Sequence, residues 1–137
     1  MISQTQTTSF KEELYKGVHD LLTDTVKIAL YTANANLDED TTVYSASDEV
    51  VASGYTAGGV IMTGVAVSSS GYTAYVNWSN VSWAAALTAR GALIYNASQG
   101  NKSIAVLNFG ADKTSASTFT ITMPANTATS ALIRSSN

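Results

Sequence analysis

At 137 residues the chain is large enough for one core that removes about two-thirds of its extended surface from water. Charged residues make up only 12% against about a quarter in an ordinary soluble domain, while 45% is hydrophobic, which excludes general disorder. The net charge is −3, the basic residues are scattered and no apolar run approaches the roughly 18 residues of a bilayer span, so neither nucleic acid nor membrane is expected as a partner.

Cysteine is absent, so disulfides and thiolate metal sites are impossible and the fold must rest on packing. No cofactor or metal is expected. The opening MISQTQTTSF lacks the basic and apolar parts of a secretory signal, which predicts a protein kept in a soluble compartment. On that reading the Asn-x-Ser triplets at Asn77, Asn80, Asn96 and Asn101 are products of a Ser- and Asn-rich composition rather than glycosylation acceptors.

In chain order, residues 1–8 read as a polar arm that orders on a partner or frays. Ser9-Phe10-Lys11-Glu12 has the form of a capping box, and Phe10, Leu14, Val18, Leu21 and Leu22 make one helical stripe. This spacing predicts a helix over about 10–22, with Gly17 costing about 1 kcal/mol of propensity. From Val26 the period changes to two: Val26, Ile28 and Leu30 alternate with Lys27, Ala29 and Tyr31, and residues 34–41 have the composition of an exposed loop.

Further strands are predicted at 43–46, 60–67, 72–78, 81–83, 88–95, 103–109, 118–123 and 131–134. Gly- or Ser-rich punctuation separates most of them, at 54–59, 68–71, 96–101 and 110–117. About eight or nine short strands with one helix predict an all-β protein, an antiparallel jelly-roll-like sandwich in a single domain over 9–137, with a partly closed barrel as the alternative. Pro124 marks a strand end or an edge. Few Lys or Pro residues guard the sheet edges, so these are expected to be covered by the N-terminal segment or by another protomer.

Catalysis finds little support. His19 is the lone histidine, adjacent residues on a helix do not face each other, and the pair His19-Asp20 reads as a solvated helix face rather than a general base. Asp38, Glu39 and Asp40 form a solvated acidic loop without EF-hand spacing. Gly54 to Gly59 lacks the Lys-Ser/Thr of a phosphate-binding loop and reads as a tight turn. Tyr72, Tyr75, Trp78 and Trp83 fit core packing or a protein interface better than a sugar platform, because parity places Tyr75 opposite Tyr72 and Trp78.

Nine of the ten carboxylates precede Val50, and after Glu49 only Arg90, Lys102, Asp112, Lys113 and Arg134 are charged. A surface so bare of charge points to assembly rather than to an enzyme. Candidate interface residues are Ile2 in the arm, Phe10 and Tyr15 on the helix, and Pro124.

Six segments, at 10–14 (FKEEL), 25–32 (TVKIALYT), 54–59 (GYTAGG), 88–95 (TARGALIY), 106–114 (VLNFGADKT) and 131–134 (ALIR), together resemble small virion structural proteins of tailed bacteriophages. Within that group the size and order are most similar to jelly-roll cement, or head-decoration, proteins of short-tailed double-stranded DNA phages. The resemblance covers about Phe10 to Arg134. It implies a protein made in the host bacterial cytoplasm that binds the capsid exterior, bridges major capsid protein subunits and forms a dimer or trimer. A tail fibre or tail adaptor component and a host-glycan-binding module are the alternatives, the last requiring Trp78 or Trp83 to be exposed.

Overall fold

A computed structural model describes residues 1–136. The chain forms strands β1 (Thr5–Gln6), β2 (Val26–Tyr31), β3 (Val60–Ile61), β4 (Ala66–Ser70), β5 (Thr73–Asn77), β6 (Val81–Trp83), β7 (Thr88–Asn96), β8 (Lys102–Thr114), β9 (Phe119–Ile121) and β10 (Ile133–Ser135). Helix α1 (Thr8–Tyr15) follows β1, and a short 3-10 turn at Ala97–Gln99 follows β7. The protein is all-β with one short helix, and every pairing between these strands is antiparallel.

One layer is a five-stranded sheet in the order β1-β8-β7-β2-β3; the other is divided between a three-stranded sheet, β10-β5-β4, and the β6-β9 pair. The main core lies between the layers. Ile28 and Leu30 of β2, Ile94 of β7 and Ile104 of β8 meet Val76 of β5, Trp83 of β6, Phe119 of β9 and Ile133 of β10. A smaller core of Ile2, Ala29, Tyr31, Ala35, Leu37, Leu93, Tyr95 and Val106 covers the opposite face of the large sheet, beneath the segment that follows β2. Central strands β2, β7 and β8 are therefore buried on both faces, which explains their near-continuous apolar runs.

The helix is shorter than its apolar stripe suggests. Thr7, not Ser9, is the N-cap, its Oγ1 accepting the Phe10 N–H at 3.4 Å. The helix stops at Tyr15 because Gly17 adopts φ +71°, a left-handed conformation that ends helical hydrogen bonding. Val18, Leu21 and Leu22 consequently lie beyond the helix, the two leucines in a turn.

Nor is 1–8 a free arm. The Ser3 N–H donates to the Leu37 carbonyl, Thr5 and Gln6 pair with Val106 and Ala105, and Thr7 is fully buried. Elsewhere, 60–67 is two strands broken at Gly64, and only Val43 of 43–46 makes a bridge, to Lys102. The presumed punctuation at 110–117 belongs largely to β8, which continues to Thr114 past a bulge where Ala89 pairs with Lys113 but Gly91 with Asn108. The serines of 68–71 are the body of β4 rather than a turn.

Candidate interaction surface

The most developed polar cluster lies at Glu49, on the segment between β2 and β3. The side chain is buried; Oε1 accepts the Tyr44 hydroxyl, and Oε2 accepts the Tyr55 hydroxyl at 2.6 Å and the Gly58 N–H at 2.8 Å. Tyr55 in turn accepts the Leu30 N–H of β2, and the Tyr95 hydroxyl of β7 donates to the Gly58 carbonyl. Tyr44 stacks on Tyr95 with ring centroids 4.8 Å apart. Burial first, and the Glu49 carboxylate after it, pushes ionisation of Tyr31, Tyr44, Tyr55 and Tyr95 above the ordinary phenol value.

These bonds fasten the segment between β2 and β3 to the large sheet, and they occupy both carboxylate oxygens. Chemically the cluster is a lock, with its hydroxyls held neutral and committed. Gly59 completes it: at φ +76° its backbone passes so close to β2 that a Cβ would stand 1.7 Å from the Ile28 carbonyl oxygen. The expected tight turn at 54–59 is thus confirmed, and its glycines serve close packing.

His19 departs from its expected solvated position. It is buried beyond α1, its ring edge-on to Phe10 at 5.0 Å. Nε2 lies 2.9 Å from Glu13 Oε1, and Nδ1 lies 2.9 Å from Asn96 Nδ2. The same Asn96 amide donates to Asp24 Oδ2 at 2.8 Å while its Oδ1 accepts the Ser98 N–H. Since the amide nitrogen can only donate, Nδ1 accepts and Nε2 carries the hydrogen bonded to Glu13. The network ties the chain after α1 to the end of β7. The bond from Asn96 and a backbone bond from Asp20 hold the Asp24 carboxyl below its usual range.

The four candidate interface residues separate into two pairs. Ile2 and Phe10 are buried and belong to the two cores, so neither presents a contact surface; this corrects their assignment. Ile2 packs over Gly91, where a Cβ would approach its side chain to 2.9 Å, and Phe10 is the single α1 side chain that is wholly buried. Tyr15 is 94% exposed and Pro124 is exposed. The Pro124 carbonyl accepts the Asn77 amide at 2.7 Å, pinning the chain after β9 to β5. Trp78 and Trp83 are both buried in the main core, so the indole platform required by a glycan-binding module is not formed. Of that aromatic group only Tyr72, at the tip of the β4-β5 hairpin, is strongly exposed.

Part of the exposed apolar surface lies beside the three-stranded sheet, while Met1, Val43, Val51 and Ile61 are exposed outside it. A groove of about 500 Å³ runs between the chain at 10–22 and β4, β5 and β10, and is lined by Leu14, Leu21, Leu22, Val67, Tyr75 and Ile133 among others. A second hollow, about 350 Å³, continues past Leu14 to Tyr15, Lys11, Gln6 and Arg134. Leu22 and Val67 leave more than half of their surface to solvent. The sequence from Val50 to Ala89, which supplies β3 to β6, contains no charged residue. Trp83 Nε1 and Asn77 Oδ1 are buried there without a hydrogen-bond partner.

The sequence reading missed the Glu49 lock, although Val50-Val51 and tyrosines at 44 and 55 flanked the carboxylate as a signal of burial. The groove had no signal of its own, because its walls come from elements distant in sequence.

The fold and surface define an antiparallel all-β protein with a partly apolar groove beside strands β4 and β5, which bear no charged residue. No family model matches the chain, and no curated protein or solved structure matches it.

Proposed function

We propose that the protein is a structural component of a bacteriophage virion, a capsid cement protein that binds the outer surface of the head as a homo-oligomer and bridges major capsid protein subunits. One observation carries the reading: the stretch 50–89, which supplies β4, β5 and β6 of the divided layer, exposes apolar and hydroxyl side chains without one ionised group. Association over such a stretch desolvates no charge, and interfaces of about 1,600 Å² are depleted in charge at their centres. The resemblance of the six segments to cement proteins supplies the particular partner. Tyr15, almost wholly exposed beside the hollow at α1, is the aromatic anchor expected at such a contact.

The test is a virion reconstruction or immunogold labelling, accompanied by heat-stability measurements on particles with and without the protein. Copies over the head and a lower disruption temperature in their absence are expected. Copies confined to the tail vertex would establish a tail component instead, and equal particle stability would overturn cementing. Tyr15→Ser is expected to weaken particle binding at least tenfold while leaving the far-UV circular dichroism unchanged.

A further inference from the structure

We propose that β4 is a self-association edge: two copies pair their Ala66–Ser70 strands antiparallel about a twofold axis at Ser68, so that each three-stranded sheet continues into the other. The inference deepens the assembly reading, and rests on it only in treating the uncharged stretch 50–89 as a contact surface.

Strand β4 ends the order β10-β5-β4, with β5 on one side and no strand on the other. Ser70 and Thr73 face each other across the two-residue turn Gly71-Tyr72, and in such a hairpin they form the hydrogen-bonded pair that closes the turn. Alternation then directs the N–H and C=O groups of Ser68 and Ala66 toward β5, and those of Val67 and Ser69 outward. Among the described residues no partner within the chain takes those outward groups.

Several other edges are managed, and β6 and β9 have only three residues each. Strand β3 has two residues, the β10 edge is met by Gln6 Nε2 donating to the Arg134 carbonyl, and the far end of β8 carries a bulge with Asp112 and Lys113. These are the usual guards against strand addition. Strand β4 has five residues, Ala-Val-Ser-Ser-Ser, and none of the guards.

The occupant follows from the symmetry. On a dyad through Ser68, Val67 of one copy lies opposite Ser69 of the other, so each pair exchanges both backbone bonds and the outward groups of the two edges are satisfied reciprocally. A twofold axis opposes each residue near it to its own copy, and any charge would meet the same charge. Serine and valine meet without repulsion, and facing serine hydroxyls can hydrogen-bond. Strand pairing alone is short of the roughly 1,200 to 2,000 Å² of a stable interface. Exposed Leu22 and Val67, which line the groove beside the same sheet, add apolar surface next to the edge.

The experiment is sedimentation equilibrium of the full chain, wild type against Ser69→Pro and Ser68→Lys, with Tyr72→Lys as the control at the hairpin tip. Proline at 69 removes an outward donor and spares the β4-β5 ladder; lysine at 68 opposes two charges on the axis. A wild-type dimer of about twice 14.3 kDa is expected, with a dissociation constant raised at least tenfold by each edge variant and unchanged by Tyr72→Lys, at equal circular dichroism. A wild-type monomer at about 100 μM, a far above typical specific affinities, would overturn the pairing. So would a trimer, or a dimer indifferent to both edge variants. A monomer that still coats capsids would overturn this inference and the homo-oligomer, and leave the head-binding part of the capsid reading standing; a dimer that ignores capsids would do the reverse.

Discussion

The two layers of the sandwich solve the same problem in opposite ways. In the five-stranded layer the polar groups are spent internally: Glu49 takes two hydroxyls and an amide, Ser103 takes the Thr7 hydroxyl and gives its own to the Thr41 carbonyl, and loops cover the second face. The divided layer keeps an open strand edge, half-exposed Val67 beside half-exposed Leu22 of the chain after α1, and two buried polar atoms without partners. A satisfied sheet has nothing to offer another molecule, whereas an edge with free backbone groups and apolar neighbours does. Internally satisfied polar groups and the open β4 edge thus fall to different layers.

The largest loss of stability is expected on the locked side. Gly59→Ala should prevent accumulation of folded protein, since the added methyl meets the β2 backbone and the residue must also hold a positive φ. Soluble expression and circular dichroism check it; a folded variant with a near-normal Tm would show that the turn at 54–59 does not constrain the sheet.

Next in size is Glu49→Ala, which leaves the Tyr55 O–H and the Gly58 N–H without acceptors in the interior. A loss of about 3 kcal/mol is expected, read as a fall in Tm of roughly 10 °C. A loss no greater than that of an ordinary surface substitution would erase the contrast between the layers.

The smallest effect, and the one that sharpens the comparison, is alkaline. Tyr31, Tyr44 and Tyr55 have folded ionisation values raised above the ordinary 10.0, so their neutral forms contribute stability that is fully present below pH 10 and is lost as pH rises toward the folded values. Melting temperatures from about pH 8 to about pH 11 should fall across the upper part of that range, with phenolate absorbance appearing together with unfolding. Glu49→Gln should flatten the profile, because the carboxylate is one cause of the raised values.

Much of the architecture was legible in local pattern. The strand at 81–83 matches its predicted bounds, and 88–95 is extended by one residue, because alternation and flanking turn residues act over short distances. The misses have physical causes. The stripe Phe10, Leu14, Val18, Leu21, Leu22 cannot reveal that Gly17 turns left-handed, and Ser68 to Ser70 have turn composition yet stand in a strand because β5 pairs with them. Histidine 19 beside an aspartate gives no hint of the Asn96 amide that meets it from β7.

What the amino-acid order determined by itself was the class: period-two apolar runs, glycine turns, no cysteine and a charge-free middle stretch make an antiparallel all-β protein held by packing. Tertiary structure alone decided which side chains are spent and which are offered. Ile2, Phe10, His19 and Glu49 disappear into the interior while Tyr15, Val67 and the β4 edge remain outside. Burial and edge coverage are set by neighbours far away in the chain, and no local periodicity records where those neighbours come to rest.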